Sequence, residues 1–493
     1  MMRKPLFGLI AIAAICTGLA SCTKESINEE LSGNSYSIRI PVQNTATKAV
    51  TEGTGKAVST FRTTDNVYVY NESTKVLDNG VLHPSDDAHE ASFVGTLNES
   101  YNAGNVLRVL YNTGSNGVVD YSSQDGSLED VIDAGEGEVT IASVSGSVIT
   151  TNSATIDNLQ SIFKFTFRYG GAEIGGIRFV RIFSGDNKLQ AQYNANSDTA
   201  TYGPVTVSRD SNLENNCIYA GLRFDANPSD VIVFQVVDEN GKVYSGSKTA
   251  PATGFAIGKF YNTTVDVNLY TFTVASGKKV CFSPGDLGLE IINSESVYSF
   301  TEPFTNWAQG NTTNYNNASA AKAVSKRTWF DFYFESGLAN NTLYGITGWR
   351  IPNRAGSTTA SYEWNYLVNS RTMNAGVALY YKVTIPGYQY CLLLPPDEAQ
   401  SSDIGDDLTS GTVTDYVKYL GKGFVLLFNT NRATYFKKWS WGSNTSSYVQ
   451  QGFYWTVYNN SNRYYFTWPS SGPKVDWMST RMRNHIRYVH DVE

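Results

Sequence analysis

The chain has 493 residues, a formal net charge of -7 and a pI of about 5.3, which excludes the strongly basic surface of most nucleic-acid-binding proteins. Charged residues make up only 17% of the chain, whereas aromatic residues make up 13%, with 32 Tyr and 9 Trp. Such a composition favours β-strands and wet surfaces over helical bundles. At roughly 150 residues per domain, the length predicts about three domains.

The first 21 residues have the order of an export signal. Arg3 and Lys4 form a short positive region, and residues 7–14 form an apolar region that is too short to span a bilayer, which takes about 20 residues. Residues 19–22 (LASC) resemble the lipobox of bacterial lipoproteins. The resemblance implies cleavage before Cys22, acylation of Cys22 with diacylglycerol and palmitate-type chains, and durable membrane attachment. An ordinary secretory signal with a chance cysteine is the alternative.

A polar tether is predicted for residues 22–35, and a first β-sandwich for residues 36–155. The tether is polar and acidic, with Glu25, Glu29 and Glu30, and reads as a flexible linker. Beyond it, residues 37–42, 66–70 and 106–111 alternate between apolar and polar side chains, with Asn, Gly and Asp turns between the runs. Alternation with period 2 between turn signals is typical of antiparallel strands.

A second β-sandwich is predicted for residues 156–270. Its clearest strand is residues 161–168, where three Phe residues alternate with polar side chains. The apolar run 231–237 ends at residues 238–241 (DENG), which is a hairpin-type turn. These strands and turns are typical of a sandwich fold.

Several stretches in this half resemble the fimbrillin-like proteins of Bacteroidetes. They include residues 46–49 (ATKA), 61–69 (FRTTDNVYV) and 258–265 (GKFYNTTV). The resemblance covers about residues 36–270 and implies two transthyretin-like sandwiches in a pilus subunit or a pilus-associated lipoprotein. It also implies that proteolysis can remove the N-terminal strand so that a neighbouring subunit donates one. Lys48 is a basic residue near that position, although a loop lysine is usually only solvated.

The character of the sequence changes near residues 270–274, and residues 271–493 form the third predicted domain. Five motifs follow in order: 348–352 (GWRIP), 363–367 (EWNYL), 393–397 (LLPPD), 454–456 (YWT) and 486–491 (IRYVHD). This order resembles the "Fibrobacter succinogenes major paralogous" domain, which implies an α+β C-type-lectin-like fold. The predicted fold class is therefore mainly β: two transthyretin-like β-sandwich subdomains followed by a C-type-lectin-like domain. Ser361 is the candidate N-cap of a helix over the second motif.

The sequence has the motifs of no catalytic or cofactor site that we recognise. The sequence has no nucleophile elbow, zinc-protease, P-loop or dinucleotide motif. We therefore expect neither an enzyme nor a bound cofactor or metal. Cys281 and Cys391 lie in apolar runs, which predicts two buried thiols, and a disulfide between them is the alternative.

Aromatic residues set among Asn, Ser and Gly are the candidate ligand-binding residues, because flat rings beside amides bind sugars and protein ligands. This set is Trp307, Trp439, Trp441, Tyr448 and Trp468, with Tyr454 as a further exposed aromatic residue. Packing in the core of a small domain is the alternative. The calcium and sugar motifs of C-type lectins, E-P-N and W-N-D, are absent, since Glu302-Pro303 is followed by Phe304. Calcium-dependent sugar binding is therefore not expected.

These observations predict a lipid-anchored protein of the outer membrane, exposed at the cell surface. The expected function is that of a fimbrial subunit, at the pilus tip or accessory to it, that mediates adhesion through its C-terminal domain. The alternative is a glycan-capturing outer-membrane lipoprotein without a pilus role. The expected partners are the membrane, other fimbrial subunits, and a glycan or a surface protein of a host or bacterium, but no nucleic acid.

Overall fold

The chain is mainly β, as predicted, with only three short α-helices in the part that the structure describes. The structure, a computed structural model, describes residues 36–44, 51–53, 56–58, 61, 64–71, 77–84, 90–97, 101–211, 216–304, 326–328, 330, 338, 340–353, 362–427, 453–458, 462–467, 473–477 and 485–492. No helix within these ranges is long and apolar enough to cross a membrane.

Eight of the twelve strands described in the N-terminal part form one sheet whose two ends pair with each other, and the other four strands pair outside it. The strands are β1 (Tyr36–Asn44), β2 (Thr51–Gly53), β3 (Lys56–Val58), β4 (Val67–Asn71), β5 (Leu77–Pro84), β6 (Glu90–Leu97), β7 (Val106–Tyr111), β8 (Val118–Asp120), β9 (Ser123–Gln124), β10 (Gly135–Ser145), β11 (Val148–Thr151) and β12 (Ala154–Asn158). The pairing runs from β1 through β11 and β12 to β10, β7, β4, β5 and β6, and β6 pairs with β1 again. The sheet encloses a core that includes Val69, Leu107, Val109 and Ile156.

The middle of the chain is a two-sheet sandwich. Its strands are β13 (Ser161–Tyr169), β14 (Ala172–Glu173), β15 (Ile177–Ser184), β16 (Gln190–Asn194), β17 (Thr199–Tyr202), β18 (Val205–Ser208), β19 (Cys217–Leu222), β20 (Val231–Asp238), β21 (Val243–Thr249), β22 (Phe260–Asp266) and β23 (Asn268–Leu269). One sheet is built on β13, with β14 and β19 antiparallel to it and β22 parallel to it. The other sheet has the order β23-β21-β20-β15-β18-β9. Phe163, Phe165 and Phe167 face the core, so the predicted alternation of β13 is confirmed.

The C-terminal part consists of small sheets and short helices. The strands are β24 (Phe272–Thr273), β25 (Lys279–Phe282), β26 (Leu287–Ile292), β27 (Glu295–Phe300), β28 (Lys326–Arg327), β29 (Asn340–Leu343), β30 (Ile346–Arg350), β31 (Tyr381–Ile385), β32 (Tyr388–Leu394), β33 (Val425–Leu427), β34 (Phe453–Tyr458), β35 (Asn462–Thr467), β36 (Lys474–Trp477) and β37 (Val489–Val492). The helices are α1 (Glu363–Asn369), α2 (Asp406–Ser410) and α3 (Val417–Leu420). Tyr362, and not Ser361, is the N-cap residue of α1, and no side chain caps that helix.

The second sheet of the sandwich is buried on both faces. Alternate residues of β15 and β20, such as Val180 and Phe234, face the sandwich core, whereas their neighbours Phe179 and Val233 pack against the C-terminal part. This is why both strands read as nearly continuous apolar runs in the sequence. The C-terminal part therefore lies on the sandwich as a third layer.

Candidate functional site

The N-terminal strand β1 lies between two other strands along its length. On one side, Tyr36 to Gln43 pair with Leu97 to Glu90 of β6 in antiparallel register. On the other side, β1 is parallel to β11 and then to β12. β1, the first strand that the structure describes, is thus an internal strand of the sheet. Strands are paired with both of its backbone edges.

The parallel side of β1 is divided into two short runs. Residues 37–39 pair with β11 and residues 42–44 pair with β12. The interruption falls at Ile40 and Pro41, and Pro41 has no backbone N–H to donate. A proline inside a sheet is normally confined to edges and irregular positions, and the change of partner supplies such a position here.

The register gives β1 one face toward the core. Position 38 is paired with Ile149 and position 42 with Ala154, and both of these neighbours are buried. Position 42 is also opposite buried Ala91 of β6. Paired positions share a face of a sheet, so one face of the slot that β1 fills is lined by buried Ala91, Ile149 and Ala154.

Removal of β1 would expose two strand edges at once. The edge of β6 would present unpaired N–H and C=O groups to an antiparallel strand, and the edge of β11 and β12 would present theirs to a parallel strand. Such edges bind extended peptides by adding a strand to the sheet. The slot is therefore suited to replacement of β1 by a strand from another chain.

Three motifs of the C-terminal part meet in one ion network. Arg350 Nη1 donates to Glu363 Oε2 over 2.8 Å and Arg350 Nη2 donates to Glu363 Oε1 over 3.0 Å. Arg350 Nη2 also donates to Asp491 Oδ1 over 2.6 Å, and the backbone N–H of Asn353 donates to Glu363. Two parallel hydrogen bonds between a guanidinium and a carboxylate fix both groups in orientation. The network ties β30, α1 and β37 together.

Asp491 and Arg350 of this network stay ionised at neutral pH. Burial raises the pKa of the Asp491 carboxyl, but the hydrogen bond and charge of Arg350 outweigh burial and hold it below its usual value. Burial also opposes the charged form of Arg350, and Glu363 and Asp491 together raise its pKa above the ordinary value. Arg350 and Glu363 therefore have a structural role, because their ion pair joins β30 to α1.

A second polar cluster is buried around Asp286. Its carboxylate accepts a hydrogen bond from Tyr454 Oη at 3.0 Å and pairs with Arg487 Nη1 at 3.2 Å. His485 Nδ1 lies 3.5 Å from Asp286 Oδ2, and burial lowers the pKa of His485 despite the nearby carboxylate. The imidazole is therefore neutral near pH 7. Tyr454 is 0% exposed, so its prediction as an exposed aromatic residue was wrong.

Arg181 of β15 joins the sandwich to the C-terminal part. Its side chain is 1% exposed, and its guanidinium donates to three backbone carbonyl oxygens. These are the oxygens of Phe300 at 2.6 Å, Thr301 at 2.9 Å and Pro284 at 3.2 Å. Burial lowers the pKa of Arg181 to about 10, which leaves it charged at neutral pH. We call this arrangement the Arg181 clamp.

The predicted ligand-binding residues lie outside the described part of the chain, as does the predicted lipidation site Cys22. The former are Trp307, Trp439, Trp441, Tyr448 and Trp468. Cys281 and Cys391 are both buried free thiols, which confirms the prediction and contradicts the disulfide alternative. Among the described residues, no three His, Cys, Asp or Glu side chains are grouped so that they could hold a metal ion.

No family model and no curated protein matches the sequence. Among solved structures, the chain is similar to a candidate cell adhesion protein of Bacteroides fragilis NCTC 9343, with 12% identity and a TM-score of 0.29 over 55% of this chain and 99% of that one. A candidate cell adhesion protein of Bacteroides uniformis ATCC 8492 matches with 16% identity and a TM-score of 0.32 over 47% and 94%. A fimbrial assembly protein of Parabacteroides distasonis ATCC 8503 matches with 11% identity and a TM-score of 0.27 over 47% and 91%.

These neighbours are described as cell adhesion or fimbrial assembly proteins, and the sequence motifs resemble proteins of that class. TM-scores of this size establish neither the family nor the function of this chain. The functional conclusions therefore rest on the geometry of β1 and of the C-terminal part.

Proposed function

We propose that this chain is a surface-anchored fimbrial subunit, at the pilus tip or accessory to it, that mediates adhesion through its C-terminal domain. The observation that carries the proposal is the position of β1 between β6 and the β11–β12 edge. A strand at the N-terminal end of the fold can leave without unthreading any other element. The slot that remains has two backbone edges and an apolar inner face for an incoming strand.

Like β1, the C-terminal strand β37 lies between two other strands, but a side-chain ion pair also holds it in place. β37 pairs with β25 on one side and meets β30 on the other, and Asp491 is held by Arg350. A strand fixed in this manner is poorly suited to donation. The contrast supports a subunit that accepts a strand at its N-terminal sheet while β37 remains in its own sheet.

The adhesive role of the C-terminal domain is supported by the positions at which two aromatic-rich segments of the sequence join the sheet β34–β36. Phe453 pairs with Thr467, which in turn pairs with Lys474. The segment with Trp439 and Trp441 ends at Phe453, and the segment with Trp468 begins after Thr467. Both segments therefore join the sheet at the same end.

The proposal includes lipid attachment at Cys22 and a location on the outer membrane. The support is the signal-like segment followed by LASC and the tether up to residue 35. Labelling of cells with an alkyne fatty acid tests this part. The wild-type chain is expected to take up the label, the Cys22→Ala variant is expected to lose it, and a Cys217→Ala variant should keep it.

The experiment for assembly compares deletion of residues 36–50 with deletion of residues 24–34 in the tether. We expect the first deletion to change the amount of the chain recovered in high-molecular-weight filaments, and the tether deletion to leave it unchanged. A synthetic peptide with the sequence of residues 36–44 should bind the shortened chain and raise its melting temperature, whereas a scrambled peptide should not. Unchanged filament incorporation after deletion of residues 36–50 would refute the strand-exchange role.

The second candidate is a glycan-capturing outer-membrane lipoprotein without a pilus role, which the aromatic and amide-rich composition of the C-terminal sequence also favours. Immunogold microscopy with an antibody against residues 275–493 separates the two. Label at filament ends supports the fimbrial subunit. Label spread over the outer membrane without filaments supports glycan capture.

A further inference from the structure

An aromatic cluster lies at the junction between the sandwich and the C-terminal part. The ring of Phe304 stacks on the ring of Tyr388 with centroids 3.9 Å apart and planes 14° apart. Tyr416 is nearly perpendicular to Phe304, with centroids 5.1 Å apart and an interplanar angle of 86°. All three residues keep part of their surface exposed. Rings that remain accessible after mutual stacking are available to a ligand.

The backbone of Phe304 is held in an unusual conformation. Its φ angle is +65°, in the left-handed region that bulky residues rarely adopt. Such conformations persist only where the surroundings enforce them, and they collect at ligand-binding positions. Here the conformation turns the chain directly after Glu302 and Pro303 and brings the ring onto Tyr388.

A carboxylate lies beside these rings without a direct partner. Glu302 is partly buried, and in the described structure its carboxylate makes no hydrogen bond or ion pair. It is close enough to Tyr416 for its charge to raise the pKa of that phenol, after the larger effect of burial. Burial raises the pKa of the Glu302 carboxyl; Arg181 of β15 lowers it and Asp120 of β8 raises it by smaller amounts, so Glu302 lies near charged groups of other parts of the chain. Ligand sites form preferentially at such junctions.

We propose that Glu302, Phe304, Tyr388 and Tyr416 form a calcium-independent sugar-binding site. The exposed ring surface stacks against the apolar C–H face of a pyranose. The carboxylate of Glu302 accepts hydrogen bonds from sugar hydroxyl groups, and the phenol groups of Tyr388 and Tyr416 can donate or accept further ones.

This site deepens the proposed function, because it assigns a ligand class to the adhesive part of the chain. It does not depend on β1, so the two can fail separately. Filament incorporation reports on the strand slot, and glycan binding reports on the site at the domain junction.

The test is a printed array of mammalian and bacterial glycans probed with the full-length chain, followed by saturation-transfer NMR with the glycan that binds best. We expect binding in the presence of EDTA. Glu302→Gln keeps the shape of the side chain and should raise the Kd about tenfold, the effect of losing one charge-assisted hydrogen bond. Phe304→Ala should abolish binding.

The matched control is a tyrosine and carboxylate pair on the sandwich surface. Tyr202 is 40% exposed and donates a hydrogen bond to Asp225, so Tyr202→Ala removes an exposed aromatic residue elsewhere and should leave the Kd unchanged. Absence of binding to every glycan on the array would overturn the proposal. Equal binding by wild type, Glu302→Gln and Phe304→Ala would also overturn it, since the sugar would then bind elsewhere.

Discussion

Replacement of Arg181 by methionine should loosen the attachment of the C-terminal part to the sandwich. Methionine fills a similar volume but leaves the carbonyl oxygens of Pro284, Phe300 and Thr301 buried without their charged donor. Hydrogen bonds to charged groups contribute roughly 1.5–3 kcal/mol each. Relief of the cost of burying a guanidinium offsets part of that loss. We therefore expect a net decrease of about 3 kcal/mol in the free energy of unfolding.

Differential scanning calorimetry measures this effect. For a cooperative unit of about 150–250 residues, a change of about 3 kcal/mol lowers the melting temperature by roughly 6–12 °C. Arg168→Met is the control, because Arg168 is on the same sandwich but lies half exposed, 3.7 Å from Glu173. Exposed pairs contribute about 0.5 kcal/mol or less, so the control should shift the midpoint little. A shift in Arg181→Met no larger than in Arg168→Met would refute the Arg181 clamp.

Three further predictions concern buried groups. Burial lowers the pKa of His485, so below about pH 6.5 the unfolded chain binds more protons than the folded chain, and this group should destabilise the fold as the pH falls. Between pH 7.5 and pH 5.5, thermal melts should therefore show a smaller decrease in melting temperature for His485→Asn than for wild type. Gly241→Ala should destabilise more than Gly171→Ala in urea titrations, because both glycines have positive φ but only at Gly241 would a Cβ atom collide with a packed histidine ring. Burial raises the pKa of Cys281 to about 12, so neither it nor buried Cys391 should react with Ellman's reagent at pH 8 until the chain is unfolded, and rapid reaction of the native chain would contradict this.

Local patterns in the sequence predicted local structure well. The alternation of Phe163, Phe165 and Phe167 predicted both the strand β13 and its buried face. The turn at residues 238–241 predicted the hairpin of β20 and β21, and Gly241 there has the positive φ that such turns use. These features depend on neighbours in the sequence, where periodicity and turn chemistry act directly.

Long-range pairing could not be predicted in the same way. Nothing in residues 36–44 specifies that the strand pairs with β6 on one side and with β11 and β12 on the other, because register is set by packing in the completed sheet. The Arg181 clamp was missed for the same reason. The sequence does show Arg181 inside the apolar run 177–183 (IRFVRIF), which marks it as unusual. However, the carbonyl oxygens that accept its hydrogen bonds lie more than 100 residues later in the chain.

The placement of β1 has a mechanical consequence. If the chain is held at its N-terminal side by a lipid and pulled at its C-terminal part by a bound surface, force on Tyr36 acts along the axis of β1. The hydrogen bonds to β6, β11 and β12 lie across that axis, so they are loaded together in shear and do not open one after another. An adhesive protein built in this way would resist flow better than one whose strand hydrogen bonds open one at a time.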